Sequence, residues 1–263
     1  MFSNLGSLLR YRGLIQSLVA RELKARYRGS VLGFVWSFVN PLLLLSIYSF
    51  VFTTITRSDD ARTTPFAVFL FCGLLPWIWF SASLTEATSS LITGGNLIKK
   101  VLFPAEVLPI VSVLANMVHF LFGLPILVVF MIASRHYPAL GTLPWLLVVL
   151  AVQLIFTLGL AFALSALTVH FRDMRDLVTN VLTLWFFATP ILYPYFMPNV
   201  SRFLTLFRLN PFYHLAVSYQ EILFFGQFGH TRSRLLLAFL SVLVFLTGYW
   251  LFDRLRDSFA EAV

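Results

Sequence analysis

The chain has 263 residues, 59% hydrophobic and only 11% charged, with a mean hydropathy of +0.86. Soluble domains carry about 25% charged residues, so this composition excludes an ordinary water-soluble core. The formal charge of +8 does not point to nucleic acid, because the cations sit beside apolar runs rather than along one soluble face. Anionic lipid headgroups are their expected partner.

A helix rises about 1.5 Å per residue, so about 20 apolar residues cross the hydrocarbon layer. Charge-free runs give six expected spans, approximately 31–56, 66–92, 107–134, 144–169, 177–193 and 234–252. The expected fold is an all-α integral membrane domain occupying residues 1–263 as one unit, with both termini on the inner side. Six cations precede the first span, and the inner segments of this topology hold twelve lysines and arginines against seven outside. Arg202, Arg208, Arg232 and Arg234 run against that bias in the last outer loop. The first apolar run is too long for the core of a cleaved signal peptide.

In chain order, residues 5–28 read as an interfacial helix with two faces. Arg10, Ser17, Arg21, Lys24 and Arg28 fall on one side and Leu8, Tyr11, Ile15, Leu18, Val19 and Leu23 on the other. Glu22 and Arg26 interrupt the apolar face, which suggests that part of it meets protein. The second span contains Glu86 and the third His119. Ionisable groups inside a membrane are costly and often functional; the alternatives are a carboxylate near a water-filled path or hydrogen-bonded to Ser or Thr neighbours such as Ser83, Ser89 and Ser90, and a histidine satisfied by packing.

Gly94-Gly95 breaks the chain after the second span. A short helix can follow before Pro104, with Leu97, Ile98, Val101 and Leu102 on one side and Lys99 and Lys100 on the other. It reads as a docking element or as a connector on headgroups. After the fourth span the charged tip His170-Phe171-Arg172-Asp173-Met174-Arg175-Asp176 sets Arg172 and Asp176 at helical i,i+4 spacing. It reads equally as a solvated hairpin and as a contact surface for a moving partner.

Pro190, Pro194 and Pro198 kink or stop the fifth span, and backbone carbonyls freed in lipid need partners. The following residues, through Asn210-Pro211 and Glu221, read as re-entrant or interfacial helices on the outer side. Trp36, Tyr48, Trp77, Trp79, Trp185, Tyr193 and Tyr195 offer flat apolar faces with polar handles, which suit stacking against sugar rings. The lone Cys72 excludes an intrachain disulfide and any multi-cysteine metal site, and no metal or catalytic site is expected. No lysine follows a glycine as a phosphate-binding loop requires, so ATP hydrolysis is expected in another chain.

Several runs, taken in order, resemble the ABC-2 type permeases that export polysaccharides, the family of O-antigen, capsule and teichoic acid exporters. They are Arg21 to Trp36 continuing to Asn40-Pro41, Gly73-Leu74-Leu75-Pro76-Trp77, Leu97 to Pro109, Phe171-Arg172-Asp173, Thr189-Pro190-Ile191-Leu192-Tyr193 and Asn210-Pro211. The resemblance implies a homodimer with two ATPase subunits, which bind ATP and Mg, and a channel for a lipid-linked glycan between the permease copies. It implies a location in the bacterial cytoplasmic (inner) membrane. It assigns the gate and coupling region to Leu97, Ile98, Lys99, Lys100, Phe103 and Pro104, and a second ATPase contact to Arg172, Asp173, Arg175 and Asp176. Arg21, Lys24, Arg26 and Arg28 of the interfacial helix sit beside these. Trp36, Tyr48, Trp77, Trp79, Tyr193 and Tyr195 become candidate glycan contacts.

The nearer alternative is an ABC-2 exporter of a drug or small lipid. More distant are an ion-coupled secondary transporter, which needs substrate at broken helices near the midplane, and a membrane-embedded transferase, for which His170 and Asp173 form the only close pair of suitable groups.

Overall fold

The structure, a computed structural model, describes residues 11–29, 32–51, 61–99, 103–197, 202–229 and 231–259. Within them the chain is helical: α1 (Arg12–Tyr27), α2 (Trp36–Phe50), α3 (Phe66–Thr93), the short α4 (Gly95–Ile98), α5 (Val107–Ala133), α6 (Leu143–His170), α7 (Met174–Phe187), the short α8 (Leu204–Phe207), α9 (Pro211–Gln220) and α10 (Thr231–Leu255). A π turn, Glu221–Phe225, extends α9, and Gly226 closes it in the left-handed region at φ 62°.

Four helices are long and apolar enough to cross a bilayer: α3, α5, α6 and α10 with the 3-10 turn that follows it. They match the second, third, fourth and sixth expected spans. The fifth takes a shorter form, and the first is described only as far as Val51. Among the described residues α2 has 15 residues and α7 has 14, or about 21–23 Å of rise each. The end of α7 falls at Phe187 rather than at 193, because Thr189-Pro190 cannot continue a helix and the chain turns there.

Helix α3 is the axis of the bundle. It packs against α2, α5, α6, α7 and α9; its first half, Phe66 to Phe80, is apolar and almost wholly buried, while its second half carries Ser81, Thr85, Glu86 and Ser89 on a half-buried side. By contrast α10 packs chiefly on α6 and turns Leu235, Leu236, Phe239, Leu243 and Trp250 outward. A continuous exposed apolar face of this kind marks a surface that meets lipid or another chain. At the α6–α10 crossing Gly159 meets Gly248: a Cβ on Gly159 would stand 2.6 Å from the Phe245 backbone, and one on Gly248 would fall on the Gly159 carbonyl.

The bundle has two distinct ends. The near end gathers α1, the C-terminus of α3, the N-terminus of α5 and the C-termini of α6 and α10, tied by Arg256 Nη1 donating to Glu106 Oε1 at 2.7 Å and by a 3.1 Å hydrogen bond between Ser258 Oγ and His170 Nε2. The far end gathers the C-termini of α5 and α7 and the N-termini of α3, α6 and α10 around α9 and its π turn. There Thr142 Oγ1 donates to the Ile222 carbonyl at 3.0 Å, and His136 Nε2 lies 2.8 Å from the Phe224 carbonyl.

Candidate functional site

At the near end the two faces of α1 have separate employment. Leu18 is buried against Val107 and Val111, with Leu14, Ile15, Val19 and Phe103 packed around it. Ser17, Arg21, Lys24 and Arg28 line an open groove on the other side. Arg26 is turned into the bundle. Its Nη2 donates to both carboxylate oxygens of Glu86 at 2.7 Å and its Nη1 to Asn116 Oδ1 at 3.1 Å, while Asn116 Nδ2 donates to Glu86 Oε2 at 2.6 Å. Bidentate pairing of this type is strong and geometrically specific. Glu86 is therefore not held by Ser83, Ser89 or Ser90 side chains. The hydroxyls of Ser89 and Ser90 donate to backbone carbonyls, and Ser83 Oγ is buried with no hydrogen-bond partner among the described residues.

Beside this triad lies a cavity of about 450 Å³ between α1, α2, α3 and α5. Arg26, Asn116, His119 and Asn40 give it a polar side; Trp36, Leu75 and Phe120 supply an apolar one. Ser37 Oγ lies 3.2 Å from His119 Nδ1, so the histidine is hydrogen-bonded within its packing. The first motif run thus closes a single pocket: Arg26, Trp36 and Asn40-Pro41 all face it.

The loop after α3 is tethered to its own chain. Ile98 packs on the cluster of Leu91, Ala105 and Ile110, Phe103 packs near Leu18, and Leu97 borders a cavity with Arg21, Glu22 and Glu86. Lys99 is exposed and Pro104 is half-buried; Lys100 lies outside the described residues. At the hairpin Arg172, Asp173, Arg175 and Asp176 are all exposed, and Arg172 makes no ion pair with Asp176 among the described residues. Asp176 instead occupies the first turn of α7, where a carboxylate favours the helix dipole. His170 does not pair with Asp173; it bonds Ser258 and lies 3.3 Å from the Ala166 carbonyl.

At the far end, motifs that are distant in sequence form one polar knot. Asn210 caps α9 by accepting from the Phe212 amide at 2.9 Å, with Pro211 at the first helical position. The same oxygen accepts from Trp185 Nε1, and the amide nitrogen donates to the Ala188 carbonyl at 3.1 Å and to Thr189 Oγ1 at 3.0 Å. Tyr193 donates to the Phe187 carbonyl at 2.6 Å, and Gln220 Nε2 to the Pro190 carbonyl at 3.1 Å. These bonds satisfy the carbonyls that the prolines leave free. Gly73 leaves room for Gln220, whose Nε2 would stand 3.0 Å from a Cβ there. Trp77 meets Phe212 edge-on at 4.9 Å.

The aromatics divide accordingly. Trp77 and Trp79 are 6% and 1% exposed, and Trp79 Nε1 donates to the Val113 carbonyl. Both are largely packed inside the bundle, yet Trp77 borders the groove between α2, α3 and α7, and Trp79 borders the cavity beside Arg26. Trp36 is exposed, and Tyr48 lies 5.9 Å from Phe186 in a groove of about 370 Å³ between α2, α3 and α7. Tyr193 spends its hydroxyl on the backbone. Tyr195 faces a separate far-end cavity with Tyr213, which burial and the Glu221 carboxylate hold protonated above the usual phenol range, as they do Tyr195.

Asn116, Gln220 and Arg234 were not foreseen as site residues. The signal that singled out Glu86 also applies to Asn116 and Gln220: each is an amide in an apolar run, and such a group needs a partner.

Residues 13–224 match the family described as ABC-2 type transporter. The chain is 43% identical over 258 residues to the O-antigen export system permease protein RfbA of Myxococcus xanthus, covering 97% of each chain. It is 34% identical to a protein of the same name from Klebsiella pneumoniae, covering 98% of this chain and 96% of the relative. Similarity of 20% extends to the polysialic acid transport protein KpsM of Escherichia coli, over 90% of this chain and 92% of that one. The four long apolar helices, the outward apolar faces and this full-length match agree, and the chain belongs to the ABC-2 type transporter family as a multi-pass membrane protein.

Proposed function

We propose that the chain is the permease subunit of an ATP-driven exporter that moves a lipid-linked polysaccharide across a bacterial cytoplasmic membrane. The observation that carries this reading is the end-to-end similarity to relatives named O-antigen export permeases. Two copies flank a conduit, each crossing the bilayer six times with α2 and α7 as the shorter crossings. The near end then faces the cytosol and the far end the outside. The outward apolar side chains of α2 and α7, including Leu43, Ile47, Leu184 and Phe187, suit a seam between copies.

ATP is hydrolysed in a separate pair of subunits beneath the near end. The exposed charges at Arg172, Asp173, Arg175 and Asp176 and the Lys99 side of the α4 loop are the surfaces offered to them. Because Ile98 and Phe103 pack inside this chain, a push on the loop is transmitted to α1 and α5. Nucleotide binding biases the gate by the difference in its affinity for the two states. Trp36, Tyr48, Trp77, Trp79, Tyr193 and Tyr195 are the aromatic positions for the glycan. An ion-coupled carrier is less suited, since Glu86 is committed to Arg26 and Asn116.

Deletion of the gene is expected to abolish the host's surface polysaccharide, and the tagged permease is expected to co-purify with an ATPase as a two-plus-two complex. Unimpaired export in a strain lacking that ATPase overturns the reading.

A further inference from the structure

The side of α9 turned away from the bundle core is buried too, yet it carries polar and aromatic groups that border a cavity. Phe212, Leu215, Ala216 and Tyr219 bury α9 in the bundle. Tyr213, His214, Val217, Ser218 and Glu221 recur at helical spacing on the other side. With Tyr195 and Phe196 from the chain after α7, and Ser233 and Arg234 from the start of α10, they enclose a cavity of about 440 Å³. That volume lies in the range of ligand pockets, about 300–1,000 Å³.

The floor is an ion pair. Arg234 Nη2 donates to Glu221 Oε2, Arg234 Nε donates to Ser218 Oγ at 3.1 Å, and the guanidinium lies 3.8 Å from the Phe228 ring centroid. Its Nη1 is buried with no hydrogen-bond partner among the described residues. Arg208 lies on the rim, its carbonyl 2.9 Å from His214 Nε2, and Arg62 covers the Phe196 ring at 3.9 Å. Two of the four cations that contradict the charge bias of an outer loop, Arg208 and Arg234, are therefore employed in building this pocket.

The lining is chemically specific. Flat rings at Tyr195, Tyr213 and Phe196 suit the C–H faces of sugar rings. Hydroxyl, imidazole, carboxylate and guanidinium groups beside them suit sugar hydroxyls, which both donate and accept. A phosphate or other anion is disfavoured by the Glu221 carboxylate, which balances the single charge of Arg234.

We infer that this far-end cavity is a binding subsite for one or two sugar units of the exported chain, separate from the conduit between the permease copies. The inference rests on the reading of the protein as a polysaccharide exporter. A subsite on the exit side holds the emerging segment against return, and it needs only weak affinity, since a tightly held chain would stall.

The test uses the permease–ATPase complex in phosphatidylcholine nanodiscs. The probes are oligosaccharides of a few sugar units, released by partial acid hydrolysis from the host's own surface polysaccharide. Saturation-transfer NMR shows binding to the wild-type complex, and Tyr195→Phe with Tyr213→Phe, which keeps both rings, weakens it at least tenfold while thermal midpoint and subunit assembly are retained. A second variant, Ser233→Trp, fills the pocket and abolishes the signal. Three results overturn the subsite: no binding to the wild type, equal binding by wild type and both variants, or binding of phosphatidylglycerol that the variants remove in place of sugar. Surface polysaccharide that persists after deletion of the gene overturns the exporter reading itself.

Discussion

Arg26 and Glu86 join segments 60 residues apart at the near end, with side chains 27% and 34% exposed; Arg234 and Glu221, 13 residues apart at the far end, are 11% and 7% exposed. The near pair borders a polar cavity and can exchange its partners for water. The far pair is set deeper: it floors the far-end cavity, while aromatic rings and the α9 turn pack its other sides. Similar pairing chemistry therefore yields a releasable latch on α1 at one end and a fixed strut between the π turn and α10 at the other.

Breaking the strut gives the largest effect. Glu221→Ala leaves a buried guanidinium uncompensated, a change that costs about 3–5 kcal/mol in buried pairs, and it is expected to lower the thermal midpoint in detergent sharply. Removing both charges, as Glu221→Leu with Arg234→Met, restores most of that loss. Equal damage from the single and double variants would show that the pair does not hold this end together.

Breaking the latch costs less. Arg26→Ala removes hydrogen bonds to a charged group, about 1–3 kcal/mol, and is expected to speed hydrogen exchange in α1 with little change around α9. Exchange that rises equally at both ends would erase the distinction between them. Smaller still is the effect of Arg172→Ala with Asp176→Ala on stability, because both side chains are exposed and unpaired with each other. The expected change is weaker coupling of ATP hydrolysis to export in reconstituted vesicles, at an unchanged thermal midpoint.

The smallest effect concerns pH. Tyr195 and Tyr213 are raised from an ordinary value of 10.0, so the native state keeps protons that the unfolded chain has lost. Their contribution is complete below the unfolded pKa and declines as pH rises through the native one. Stability of the wild type is expected to fall more steeply above about pH 10 than that of Tyr195→Phe with Tyr213→Phe, as followed by thermal melts and tyrosinate absorbance.

The parts legible in the sequence were those governed by local pattern. The two faces of α1, the four long apolar helices and the break at Gly94-Gly95 follow from periodicity and from residues that stop helices. Long-range partners were not legible. Glu86 looked toward serines in its own helix, but an arginine on another helix offers a bidentate pair that no serine can match. Trp77 and Trp79 read as candidate sugar platforms, but the sequence alone did not show how deeply the packing of α3 sets them. Asn210 was visible as part of a motif, yet its four hydrogen bonds depend on α7 ending early enough to bring Ala188 and Thr189 beside it.

The contact of Gly159 with Gly248 has a mechanical consequence. Where two backbones touch without intervening side chains, neither helix can roll about its own axis unless the other follows. Helices α6 and α10 therefore behave as one beam, about 40 Å long at 1.5 Å per residue. One end of that beam carries the Arg172 hairpin and the other carries Arg234. A displacement applied at the hairpin is expected to be carried along this beam toward the floor of the far cavity, and Gly248→Leu, whose side chain would meet the Gly159 carbonyl, is expected to weaken that link.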